Sequence, residues 1–190
     1  MQTQAPPNAR TVKPRLAGAS MSLGAVVFAA AGFVADESAA WNAAGLAAAV
    51  LVLIGFGAFR HESGRAGAWG IGLVRFGLGA TVVGYLVNLV GPLLSEDAEG
   101  VAALAGIPAW SLAHLVYIGA TVLGIACLRS GSVPRPTAVA LVVGLPALLL
   151  GVGAGLALGE PFGPAVTWAA TEGQAGLAWL LVGLHLLRRR

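Results

Sequence analysis

RSGSVPRPTAVALVVGLPALLLGVGAGLALGEPFG, residues 129–163, holds the pattern that decides the fold. No charge occurs between Arg135 and Glu160. An apolar run of about 20 residues is long enough for a helix to cross a hydrocarbon core about 30 Å thick. Arginines flank this run on one side and a glutamate on the other. The same unit recurs along the chain, with apolar runs at 16–35, 39–59, 68–94, 107–128, 137–158 and 163–187. The breaks between them are short: DES (36–38), RHESGRAG (60–67), SEDAEG (95–100), RSGSVPRP (129–136) and GEPFG (159–163). Connections of this length make successive helices antiparallel neighbours. The expected fold is all-α, a polytopic membrane bundle of six transmembrane helices over residues 16–187. A tail (1–15) precedes it and a basic C-terminus (188–190) follows. VAALAG (101–106) reads as a short interfacial piece before Pro108 opens the fourth helix, a position where proline's missing N–H costs nothing.

Composition agrees. The 190-residue chain is 57% hydrophobic and 10% charged, where a soluble domain carries about a quarter charged residues. Mean hydropathy is +0.84. A pI near 9.8 would suit nucleic acid, but the cations do not gather on a polar domain. Arg10, Lys13 and Arg15 precede the first run, Arg60 and Arg65 follow the second, Arg129 and Arg135 the fourth, and Arg188, Arg189 and Arg190 the sixth. Asp36, Glu37, Glu96, Asp97, Glu99 and Glu160 fall in the alternate breaks. By the positive-inside rule, this places both termini in the cytoplasm of a multi-pass cell-membrane protein, with lipid as its partner and no nucleic acid. The first run reads as a span and not a cleaved signal peptide. It is longer than a signal core, and Phe33 stands where a small residue is required for cutting. The polar, proline-rich residues 1–15 read as a tail. The lone Cys127 allows neither an internal disulfide nor a cysteine metal site.

Ionisable groups inside a span cost about 2.5–3.5 kcal/mol each on insertion scales, so their positions are informative. Arg75, His114 and Glu172 lie in the runs, with neutral Asn88 and Gln174. An Arg75–Glu172 ion pair is the obvious arrangement, yet helix direction opposes it. Their backbones differ in depth by about 7 Å at the helical rise of about 1.5 Å per residue, and their side chains lean apart. His114 and Glu172, by contrast, sit on helices of the same direction and at similar depth, with Asn88 in the same layer. On the fourth helix Trp110, Ser111, His114, Tyr117 and Thr121 form one stripe. Trp168, Glu172, Gly176 and Trp179 share a face of the sixth helix, and Thr81, Tyr85 and Asn88 share one of the third. The candidate polar cluster is therefore Glu172, His114, Asn88, Tyr85, Tyr117 and Ser111. Gln174, about 200° around its helix from Glu172, lies outside it.

Gly151, Gly155 and Gly159 line one face of the fifth helix, the spacing at which helix backbones approach closely. That strip serves packing within the bundle or a homo-oligomer face. Pro146 should kink the same helix.

Several chemistries fail on their residues. Six spans invite comparison with rhomboid intramembrane proteases, but in PAWSLAH (108–114) Ala109 stands where the nucleophile motif has glycine, and His185 lies at the wrong depth. His114 and His185 are about 20 Å apart in depth, too far to share a haem. No span holds a lysine for retinal, and no glycine-rich phosphate loop adjoins one. No cofactor or metal site is expected. The loop CLRSGSVPRPT (127–137) resembles those of small, uncharacterised six-helix membrane proteins of bacteria and archaea, a resemblance that implies no catalytic residues. The first reading is a scaffold or partner-binding membrane protein without enzymatic activity, its polar cluster tying helices together. The alternative is a small-solute or proton-coupled carrier using Glu172, with His114 as proton partner and Asn88 orienting. An intramembrane hydrolase built on Ser111 comes third.

Overall fold

The computed structural model describes residues 14–34, 38–59, 64–94, 100 and 102–188. Expectations placed on Arg10, Lys13, Asp36, Glu37, Arg60, Glu96, Asp97, Glu99, Arg189 and Arg190 lie outside the described residues. The rest is helical: α1 (Pro14–Val34), α2 (Ala39–Ala58), α3 (Gly64–Leu94), a π-helical turn (Ala102–Gly106), α4 (Ile107–Ala113), α5 (Leu115–Ser130), α6 (Arg135–Leu158), α7 (Phe162–Trp168), a second π turn (Ala169–Gly173) and α8 (Gln174–Arg188). Local chemistry sets the boundaries. Pro108 and Pro136 sit in the first turns of α4 and α6. Gly131, at φ +66°, caps α5 in the left-handed conformation by donating its N–H to Cys127 O at 2.9 Å.

Two irregularities mark the columns. Residues 102–106 wind directly into α4, and α4 runs on into α5 through His114, whose backbone stays helical (φ −62°, ψ −16°). The sixth run is not one uniform helix but α7 and α8 joined by the π turn that contains Glu172. Among the described residues, five stretches are long and apolar enough as single helices to cross a membrane: Pro14–Phe33, Ala39–Gly57, Gly64–Leu93, Leu104–Ser130 and Arg135–Leu158.

The columns form a closed ring. α1 packs on α2, α2 on α3, α3 on α4 and α5, α5 on α6, α6 on α7 and α8, and α8 returns to α1. Inside lie Met21, Val52, Phe56, Val74, Leu78, Leu123, Leu141, Trp179, Val182 and Leu186, all buried. Outside, Trp69, Leu93, Leu104 and Leu156 are 72%, 82%, 84% and 81% exposed. An apolar core with an apolar exterior is the distribution of a bundle solvated by lipid. Pro14 and Arg188 lie at the same end, here called the terminal end, with Arg15, Arg65, Arg129 and Arg135; Glu160 lies at the far end.

Small residues close the ring. A Cβ at Gly18 would lie 2.7 Å from Gly183 O, and one at Gly119 would lie 2.8 Å from Gly70 O. The Gly151 and Gly155 positions face α7 and its π turn, where Ala170 and Thr167 fill the space a side chain would need. These two glycines therefore serve packing within the bundle, while a Cβ at Gly159 would meet nothing within 4 Å.

Pro146 cannot donate to the carbonyl of Val142, one turn earlier. Thr121 of α5 compensates: its hydroxyl donates to Val142 O at 3.1 Å and accepts from Leu145 N–H at 3.1 Å. Nearby, Gln174 Nε2 donates to Ala140 O at 2.6 Å, tying α8 to α6. No water in a bilayer core could serve these groups instead. Thr121→Val should therefore destabilise the detergent-solubilised protein by about 1–3 kcal/mol. Adding Pro146→Ala, which restores an N–H for Val142, should recover part of that loss in a double-mutant cycle read by denaturant unfolding.

Candidate functional site

Glu172 is half-buried near the far end of the sixth column, in the π turn Ala169–Gly173. A π turn inserts an extra residue into the helical repeat and releases local backbone groups, and such turns recur at functional sites. Here Thr171 donates its hydroxyl to Thr167 O at 2.7 Å and also contacts Glu172 Oε2. The Glu172 side chain rests on α1 at Gly32, where a Cβ would come within 2.5 Å of its Cγ. Beside it, Trp168 Nε1–H donates to Ala29 O at 2.9 Å, and its ring meets Phe33 edge-on at 4.9 Å between centroids.

Glu172 lines two cavities. One, of about 80 Å³, lies within the ring among Phe28, Thr81, Trp110, Ala113, His114, Val116, Tyr117, Trp179 and Glu172. The other is a more open groove of about 450 Å³ between α1, α6 and α7, bounded by Gly32, Gly155, Gly159, Glu160, Thr167, Trp168 and Glu172. Glu172 is the residue common to both linings. The walls of the inner cavity are aromatic. Phe28 and Trp179 pack at 4.9 Å, Tyr85 meets Trp110 edge-on at 5.0 Å, and His114 and Tyr117 lie 6.3 Å apart.

The residues singled out from sequence divide. His114 and Tyr117 line the inner cavity with Glu172, and Tyr85 and Tyr117 both lie within electrostatic reach of its carboxylate. His114 does not hydrogen-bond Glu172: its Nδ1–H donates to Trp110 O at 2.9 Å, which leaves Nε2 as the acceptor of the neutral ring. Asn88 lies apart from the group, exposed, donating Nδ2–H to Asn42 Oδ1 of α2 at 3.2 Å. Ser111 is exposed and donates to Ile107 O in its own helix at 2.8 Å, so no Ser111–His114 hydrogen bond forms. Arg75 is exposed, and no ion pair joins it to Glu172 among the described residues. Gln174 faces α6, on the other side of the column from Glu172.

Sequence reasoning missed Gly32, the groove with Glu160, and the part played by Phe28. Gly155 and Gly159, two members of the small-residue strip, border the groove. Gly32 was one glycine among 28, with no local mark to set it apart. Among the described residues, no group of three or more His, Cys, Asp or Glu could hold a metal ion. Comparison of the chain with known protein families, curated proteins and solved structures finds no match.

Gly32→Ala forces a methyl group against Glu172 and should destabilise the fold by about 1–3 kcal/mol. Gly79→Ala is the control, since a Cβ there meets nothing within 4 Å. That change should leave the thermal midpoint unchanged or raise it, alanine being the better helix former by about 1 kcal/mol.

Proposed function

We propose that the chain is a multi-pass carrier of the cell membrane, moving a small polar solute with Glu172 as its proton-exchanging group and both termini in the cytoplasm. The observation that carries this reading is the position of Glu172 in the walls of both the inner cavity and the groove. A carboxylate so placed can meet a solute or proton arriving through the groove and also whatever occupies the cavity. His114 Nε2, in the same lining, is a second proton acceptor.

The scaffold reading would have Glu172 tie helices together. Its hydrogen bond, however, stays within its own column, from Thr171. The ties between columns are made by other groups: Ser20 to Leu51 O, Thr121 to Val142 O, Trp168 to Ala29 O and Gln174 to Ala140 O. This division favours a carboxylate kept for something other than holding the bundle. Asn88, engaged with Asn42, is assigned no orienting part. Orientation rests on Arg15, Arg65, Arg129, Arg135 and Arg188, which share the terminal end.

In proteoliposomes loaded with a pH-sensitive dye, the protein should carry proton flux that depends on added small solutes. Glu172→Gln should cut that flux at least tenfold, about 1.4 kcal/mol, without shifting the unfolding midpoint. Unchanged flux together with a destabilised fold would return the residue to a structural role. In a Cys127→Ser background, Arg65→Cys and Arg129→Cys should react with an impermeant maleimide only in inside-out vesicles. Glu160→Cys should react only in right-side-out vesicles; the reverse pattern would overturn the orientation.

A further inference from the structure

We propose that the inner cavity is a binding site for a small alkylammonium cation, held by the faces of Phe28, Trp110, Tyr117 and Trp179 against the Glu172 carboxylate. The inference rests on the carrier reading above and specifies its solute. Charge is the first argument. Glu160 and Glu172 lie in the groove, Glu172 also faces the cavity, and neither lining contains lysine or arginine. An anion would meet carboxylates along the whole approach, whereas a cation passes from Glu160 to Glu172. The second argument concerns the kind of cation. A bare metal ion needs several oxygen ligands. The cavity offers one carboxylate and a wall made mostly of rings. Aromatic faces attract cations through their quadrupole, and they solvate the methyl groups of an alkylated ammonium that water solvates poorly. The third argument is size. About 80 Å³ accommodates an ion of a few heavy atoms. The ring contacts between Phe28 and Trp179 and between Tyr85 and Trp110 hold these faces in place without a ligand.

The test uses the full chain in lipid nanodiscs, titrated calorimetrically with trimethylammonium and tetramethylammonium chloride, with sodium chloride and tert-butanol as controls for charge alone and shape alone. Saturable binding of both alkylammonium ions is expected, with none for either control. Glu172→Gln and Trp110→Leu should each weaken binding about tenfold or more, and Tyr117→Leu provides the same aromatic test if Trp110→Leu fails to fold. Three results would overturn the proposal. One is the absence of saturable alkylammonium binding. Another is equal binding of tert-butanol. The third is a site sensitive to Glu172→Gln but indifferent to loss of the aromatic faces. Glu172-dependent proton flux persisting without alkylammonium binding would sink this proposal and leave the carrier reading intact. Binding without any flux would sink the carrier reading and leave the site.

Discussion

A carboxyl group inside an apolar bundle is costly unless it is hydrogen-bonded, protonated or paired with a cation, and the far half of this protein is arranged around that constraint. Among the described residues Glu172 pairs with no arginine. Arg75 lies on α3, which does not adjoin the sixth column, and it sits on the terminal side of Tyr85 by about 15 Å along α3 at the helical rise. Thr171 supplies one hydroxyl from the same turn, and Gly32 supplies a place for the side chain against α1. These arrangements position the carboxyl group in the walls of the two cavities that Glu172 lines.

The same accounting governs the backbone. Pro146 removes one donor from α6, and Thr121 on the adjacent column both serves the freed carbonyl and accepts the Leu145 N–H. Gln174 reaches a further carbonyl of α6, and the Trp168 indole reaches one of α1. The departure at Pro146 is thus met by a side chain from a neighbouring column. Such positions are where a helix bends most readily, and α6 and the sixth column are the walls of the groove.

How much of this was legible follows from what kind of signal each feature leaves. Spans are written in composition. Runs of about 20 apolar residues predicted the columns to within a few residues, because lipid thickness sets their length. Faces are written in periodicity: Trp110, His114 and Tyr117 of one stripe and Glu172 and Trp179 of the other line the inner cavity, whereas Ser111 bonds within its own helix, Thr121 turns to α6 and Trp168 lines the groove. Helix direction alone argued against Arg75 as a partner. Pairings between columns leave no such mark. Asn88 was grouped by depth with Glu172, but depth does not say which neighbour a side chain faces, and it meets Asn42 instead. The π turns were invisible for a related reason: hydropathy averages over several residues, while a π turn adds a single one. Gly32 has meaning only once α1 and the sixth column are adjacent.

Glycine also explains why the cavity lies where it does. Toward the terminal end, glycines meet backbone: Gly18 faces Gly183, and Gly70 faces Gly119, so columns touch with nothing between them. Toward the far end, several glycines meet rings or the carboxylate instead. Gly45 receives the Tyr85 ring, Gly84 receives Trp110, and Gly32 receives Glu172. Large side chains set into glycine hollows keep the columns apart while the rings stay fixed. Backbone contact also occurs at the far end, between Gly155 and Gly163, but there it stands beside glycines that hold rings or the carboxyl group. The inner cavity lies among those rings and Glu172. Filling it with larger aliphatic residues would bury more apolar area, so the void gives up packing that the sequence could supply. What that sacrifice retains is a space lined by Phe28, Trp110, Tyr117 and Trp179 and by a carboxyl group that also lines the groove.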